Sequence, residues 1–396
     1  MITQQSIHIH TSIKYLSKVH NELLITVFIK ATAEGFVGIF VPIFLLTHGL
    51  SLRAVFTYSL LVFVTTFFSM LIALKCNQYL GMKKTMLVGI LLTIGFYLSL
   101  HGLTSGINYK IIALVDGLAL GFYYGAYNML LTKSMKRGRE GKGASVQQVV
   151  GIIAGVLGPT IGALLIKGLS FQSLFLIVSI LLVTAPVPLF FGKEVKAKRE
   201  LLHLSSLFTE KPTRVDRAIF LQGVMDGSGV FWPVYIYLHY PHLTALGILS
   251  TVTAALVITT TYLVGSSVDK KQRLAYRLGA VLYAPTWISR LLFLTPVGLG
   301  LNSLSASVLA IGPTMAVSKD IFHIAKTSKN QTAHFGRVEF YKNGGRACLI
   351  AIAILLPNLT AIFILTSLAT LLYIGCAPKR KGHDKLLLRT AARLGT

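Results

Sequence analysis

Six ionisable residues stand inside the long apolar runs of this chain: Lys30, Glu34, Asp116, Asp226, Arg290 and Arg346. A charge at the centre of a bilayer costs roughly 2.5–3.5 kcal/mol on insertion scales, so each needs a partner or a wet cavity. Glu34 lies about 18 Å into the first run if that run is helical, near mid-bilayer. A carboxyl there suits a group that binds and releases a proton, or that touches substrate. Lys30 is one turn earlier on the same face, so the two read equally well as a neutralised i,i+4 pair that holds the helix. Asp226 is flanked by Gly223, Gly227 and Gly229, with Pro233 beyond. These residues loosen a helix where cavity water satisfies freed backbone groups, or else mark close helix packing.

A second cluster is Asp116, Tyr123, Tyr124, Tyr127 and Asn128. Tyr123 and Tyr127 share a helical face, with Asp116 on the same side, and Tyr124 shares one with Asn128. Tyrosines with polar tips suit an apolar or amphipathic ligand; interfacial or packing tyrosines are the alternative. Asp116 could instead pair with a basic residue near the outer mouth. Arg346 follows Asn343-Gly344-Gly345 and could meet a carboxylate from another helix, Asp226 among them. Arg290 is expected to snorkel toward headgroups.

The elements that must hold these residues are membrane helices. Of 396 residues, 54% are apolar, only 13% are charged, and mean hydropathy is +0.69. That charge fraction is about half the usual share for a soluble domain. Twelve segments have the roughly 20 apolar residues a bilayer core requires. They are 22–46, 54–74, 85–105, 110–132, 146–167, 171–191, 217–239, 243–265, 277–297, 300–322, 338–356 and 358–376. The expectation is therefore an all-α integral membrane fold of about twelve transmembrane helices.

The net charge of +25 resides in short basic clusters between these runs. Such clusters suit anionic headgroups and lack the continuous basic domain of a nucleic-acid binder. With an inside N-terminus, the inner segments hold 32 Lys and Arg, against Arg53, Lys110 and Lys167 outside. The positive-inside rule then places both termini in the cytoplasm of a multi-pass cell-membrane protein. No cleavable signal peptide is expected.

The longest hydrophilic stretch divides the chain. The expected organisation is an N-terminal segment 1–21, a six-helix bundle 22–191, a cytoplasmic linker 192–216, a second bundle 217–376 and a basic tail 377–396. The halves echo each other. Ala33-Glu34-Gly35 with Gly38 and Pro42 matches Met225-Asp226-Gly227 with Gly229 and Pro233. The 192-residue offset from 34 to 226 also carries Asn77 onto Asp269. Two matches at one offset support duplication.

Two loops carry a recognisable motif. Gly265-Ser266-Ser267-Val268-Asp269-Lys270-Lys271, followed by Arg273, resembles the Gly-x-Leu-x-Asp-Arg-x-Gly-Arg-Lys signature of the major facilitator superfamily. The first copy keeps Gly81, Lys83 and Lys84, but has Asn77-Gln78 at the acid and one extra residue. Gly158-Pro159-Thr160-Ile161-Gly162-Ala163 is similar to the family's Gly-Pro-x-x-Gly-Gly element, commonest in exporters. The resemblance implies two pseudo-symmetric six-helix bundles and alternating access around a cavity lined by helices one, four, seven and ten. It implies gating by Gly265, Asp269, Arg273, Asn77, Gly81 and Lys83, with Asp269 facing a helix N-terminus in the other half. Helix packing falls to Gly158, Pro159 and Gly162.

The expected function is secondary transport of a small organic solute, proton-coupled, with efflux slightly favoured and a monomer as the working unit. No phosphate-binding Gly-x4-Gly-Lys-Ser/Thr is present, so direct ATP drive is not expected. No Cys or His cluster suggests a metal or other cofactor, and no enzyme is expected. Two alternatives stay open: a membrane enzyme acting on a lipid-linked substrate, and a non-transporting sensor of the same fold.

Overall fold

The structure, a computed structural model, describes residues 21–135, 149–200, 211–356 and 358–378. The expected terminal segments 1–20 and 379–396, the basic stretch 136–148 and linker residues 201–210 lie outside the described residues. No strand occurs among those described. The helices among the described residues form twelve spans. Seven among the described residues are long and apolar enough to cross a membrane by composition alone. They are span 2 (Leu52–Tyr79), span 3 (Met82–His101), span 5 (Val149–Gly168), span 6 (Phe171–Phe191), span 8 (starting at Leu243), span 10 (Pro296–Thr327) and span 12 (Leu359–Cys376).

The other five depart from simple apolar rods for a physical reason. Span 1 is two helices, 21–35 and Val41–Thr47, broken where Glu34-Gly35 precedes Pro42. Span 7 is likewise Arg214–Ser228 and Phe231–His239. Span 4 (Tyr109–Ser134) carries Asp116, its tyrosines and Asn128. Span 9 is the second part of a helix running Leu243–Leu292, whose regularity fails at Lys271. Span 11 (Gln331–Leu355) begins well before the apolar run that the sequence shows. Its first turns hold His334, Arg337 and Glu339, each no more than 6% exposed and facing protein rather than lipid.

Side-chain caps fix many boundaries. Ser51, Asn108, Ser170, Thr295, Asn330 and Asn358 each accept a backbone N–H of the following helix. Thr213 and Asp216 form a reciprocal capping box at the start of span 7. Each cap satisfies donors a helix start otherwise leaves open.

Spans 2, 3, 4 and 6 pack into one bundle, and spans 7 to 12 into the other. Spans 2 and 11, and spans 5 and 8, pack across the divide. The outside is oily: Ile180 is 70% exposed and Phe190 69%. Apolar bands of this kind need lipid as solvent, so small residues rather than hydrophobic exclusion draw helices together. Span 4 carries Gly117, Gly121 and Gly125, one per turn, against span 2. A methyl group at Gly117 would overlap Thr65, at Gly121 Ser69 and Met70, and at Gly125 Ala73. The glycine ladder lets Ser69 donate to the Gly117 carbonyl (2.9 Å). Tyr124 and Tyr127 of the same span flank this ladder and border a cavity between the bundles.

Candidate functional site

A cavity of about 630 Å³ lies between the bundles. Span 4 contributes Tyr124, Tyr127 and Asn128; span 11 Glu339, Lys342 and Arg346; span 7 Asp226; span 2 Phe63 and Thr66. Of the residues singled out in sequence, Asp226, Arg346, Tyr127 and Asn128 therefore meet at one cavity. The Arg346 Nη2 donates to Asp226 Oδ2 at 3.1 Å, and the Lys342 ammonium is 3.5 Å from the same oxygen. Gln222 donates to Asp226 Oδ1 (2.8 Å). Asn343 accepts from Arg346 Nη1 (3.2 Å) and donates to Glu339 Oε2 (2.8 Å). One polar chain thus runs from Glu339 to Gln222, with Asp226 held between two cations.

Span 1 repeats this design one bundle over. Lys30 pairs with Glu34 one turn on, as Gln222 pairs with Asp226. The offset that takes 34 to 226 takes 30 to 222. Where the first half has lysine the second has glutamine, and span 11 supplies the missing positive charge. Lys30 Nζ also lies 4.1 Å from the centre of the Tyr123 ring, which stacks on Tyr127 at 5.8 Å. Tyr123 is buried and joins Lys30 to the cavity wall rather than lining it. Asp116 is elsewhere: it accepts a hydrogen bond from Tyr58 Oη (2.7 Å), so its partner is a phenol of span 2 and not a basic residue at the mouth. Arg290 does not reach headgroups; it is 4% exposed and faces the interior.

The Gly158-Pro159-x-x-Gly162 element packs span 5 onto span 1 at its break. Methyl groups at Gly158 and Gly162 would strike the Gly35 and Phe36 carbonyls. Span 5 also meets span 8 in the other bundle, where Thr160 and Thr251 hydroxyls lie 2.8 Å apart. Nearby, Phe40, Ile43 and Ala163 cluster with Ile236 and Leu246 across the divide.

At the opposite, basic end the first motif copy is wired differently from the expectation. Asn77 is fully buried and donates to the Gly125 carbonyl at 2.9 Å, inside its own bundle. Gln78 crosses instead, donating to Thr332 Oγ1 (3.2 Å) and the Glu200 carbonyl (3.0 Å). The carboxylate at the N-terminus of span 11 is that of Glu200, which accepts from Thr332 N at 2.9 Å. Anions are favoured at such a terminus because its first N–H groups have no helical acceptor. Glu194 does the same for span 3, accepting from Lys83 N (2.8 Å) and Lys84 N (3.1 Å). Lys83 Nζ pairs with Glu22. Gly81, at φ +103°, lies beneath Glu194, where any side chain would collide with that carboxylate. In the second copy, Gly265 lies within the helix Leu243–Leu292 and the side chain of Asp269 lies outside the described residues; Arg273 is half-buried just past the break at Lys271.

Sequence reasoning did not single out Gln222, Lys342, Glu194, Glu200 or the span 4 glycines. Signals for some were available. Glycines at 117, 121 and 125 repeat every fourth residue, and Gln222–Asp226 repeats the Lys30–Glu34 spacing. With only 13 acids in the chain, each merited a partner. Every acid whose side chain is described has one, including Asp216 with Arg337 (2.8 Å) and Asp320 with Arg214 (3.0 Å).

Comparison with known proteins agrees with this architecture. The chain is 25% identical over 291 residues to the uncharacterized protein YqgE of Bacillus subtilis (strain 168), covering 68% of this chain and 67% of that one. Among solved structures, the human organic anion transporter MFSD10 (TETRAN) superposes with a TM-score of 0.67 at 14% identity, over 92% of this chain and 99% of that one. FucP in the outward conformation gives 0.66 at 13% identity, over 90% and 97%. At those identities the likeness speaks to fold alone. The sequence model of the Major Facilitator Superfamily matches residues 23–328, so the chain belongs to that superfamily.

Proposed function

We propose that the chain is a proton-coupled secondary transporter that carries a small organic solute through the Asp226–Arg346 cavity by alternating access. The observation that carries this reading is Asp226 held between Arg346 and Lys342 on the cavity wall. A carboxylate so placed competes with an anionic group of the substrate for the same two cations. A proton on Asp226 releases both, so proton and substrate bind together or not at all. Tyr124 and Tyr127 supply the apolar wall for the solute's body. Two of the similar structures fit this reading by their descriptions: MFSD10 is an organic anion transporter, and FucP of E. coli is a fucose:proton symporter.

The basic end is assigned to the cytoplasm, with both termini there and the linker around residue 200 inside. Contacts between the bundles at the two ends are the ones alternating access must break in turn: Phe40 and Ile43 with Ile236 at one, Gln78 and Glu200 with Thr332 at the other. Symport of this kind runs as uptake under an inward proton gradient, opposite to the export that the Gly158–Pro159 resemblance alone would suggest.

The test is transport by the purified chain in proteoliposomes. Solutes are chosen by a thermal-stability screen of organic anions, cations and neutral compounds, and flux is measured with and without an imposed pH gradient. Gradient-driven flux should vanish in Asp226→Asn and fall in Glu34→Gln, while Asp116→Asn retains it. Flux that ignores the gradient in the parent protein and persists in Asp226→Asn would remove proton coupling through this residue.

A further inference from the structure

A second cavity, of about 440 Å³, also lies between the bundles, bordered by Ile39 of span 1, Ile152 of span 5 and Met225 and Gly229 of span 7; span 10 lines it at Ser303 to Ala310 and lines the Asp226 cavity farther along, at Thr314 to Phe322. Its walls are mostly apolar: Ile236, Leu246, Leu249 and Val257 among them. Into it projects Arg290, 4% exposed. The guanidinium is sandwiched by two indoles, with Cζ 3.7 Å from the Trp287 ring centre and 4.1 Å from that of Trp232. Its Nε donates to Asn302 Oδ1 at 3.2 Å, and Trp232 Nε1 is tied to Ser303 Oγ at 2.9 Å. Nη1 is buried with no acceptor, and Arg290 forms no ion pair among the described residues.

A guanidinium stays charged at any pH a protein survives, and a buried charge needs a counterion. Aromatic faces offset part of the desolvation but accept no hydrogen bond from the fork. Arg346, on span 11, shows the alternative, since it has its own carboxylate. At Arg290 the chain supplies the cation, the apolar walls and a fixed orientation, and leaves out the anion.

We infer that the Arg290 cavity is a binding site for an organic carboxylate with an apolar body, its carboxylate on the Arg290 fork and its body among the aliphatic walls. A planar carboxylate matches the paired donors of the guanidinium, and a bare ion would leave the apolar walls uncovered. Arg290 lies outside the lining of the Asp226 cavity.

The chain carries two tryptophans, and both stack on Arg290, so intrinsic fluorescence reports this cavity directly. The full-length chain in detergent is titrated with 4-bromobenzoate, whose bromine quenches indole on contact. The expected result is saturable quenching at least tenfold tighter than with 4-bromobenzamide, which has the same ring without charge. Arg290→Gln should weaken the benzoate at least tenfold, and Lys110→Gln, an exposed cation bordering neither cavity, should not change it. Benzoate and benzamide quenching alike in the parent protein would overturn the proposal without recourse to any variant. So would protection by chloride as strong as by unbrominated benzoate, which would mark an inorganic anion site.

Discussion

Restoring the family's acid in the first loop should harm this protein rather than repair it. The sequence presents Asn77 as a lost aspartate, and the obvious reversion is Asn77→Asp. In the structure Asn77 is 0% exposed, and its amide donates to the Gly125 carbonyl at 2.9 Å and to Met129 Sδ at 3.3 Å. An ionised aspartate would aim an oxygen at that carbonyl, with no cation beside it. The Gly125 carbonyl keeps its helical acceptor role, so losing the amide hydrogen bond alone costs about 1 kcal/mol. The unpaired buried charge dominates, at about 3–5 kcal/mol. Purified Asn77→Asp should melt well below the parent in detergent and express at lower yield. The carboxylate that meets the first turn of span 11 is that of Glu200, from the segment after span 6. Glu200→Gln keeps the shape and removes the charge. A half-buried anion at a helix N-terminus contributes about 0.3–2 kcal/mol, or roughly 2- to 30-fold in the population of released linker. Limited trypsin digestion reads this without a known substrate, because Lys196, Lys198 and Arg199 lie on the docked segment. Cleavage there should speed up by that factor while melting barely changes. Asn77→Asp melting at or above the parent, together with Glu200→Gln cut at the parental rate, would refute both assignments.

Other outcomes follow from the same geometry. Gly121→Leu should separate spans 2 and 4 and abolish the folded fraction on size-exclusion chromatography, whereas Gly95→Leu, with open space around it, should elute as the parent does. Gly162→Val should lower the melting temperature in detergent, because its side chain strikes the Phe36 carbonyl at the break of span 1; melting at the parental temperature would show that the break yields to it. Lys30→Met and Glu34→Gln should each destabilise more than the double variant in a thermal-melt cycle, since each alone leaves an unpaired charge. Strictly additive losses would mean the pair does not couple.

Composition alone decided the solvent. Long apolar runs with few charges cannot be covered by water, and the alternation of basic loops fixed the parity of the spans. The 192-residue echo between halves was legible because duplicated bundles repeat the residues that break helices, Gly and Pro beside one acid. Those same breaks, and the polar first turns of span 11, blurred the hydropathy signal. His334, Arg337 and Glu339 are shielded by neighbouring spans, a fact no window average contains.

Which acid meets which base belonged to the tertiary structure. Asp226 and Arg346 are 120 positions apart, and only helix packing at Gly223, Gly227 and Gly345 brings spans 7 and 11 close enough for a 3.1 Å contact. Asn77 and Glu200 make the point most sharply. A motif locates a carboxylate by its place in the chain, but a helix N-terminus responds to whichever carboxylate reaches it in space. Here the linker folds back to deliver one, so the sequence shows an acid missing where the structure shows it supplied from elsewhere.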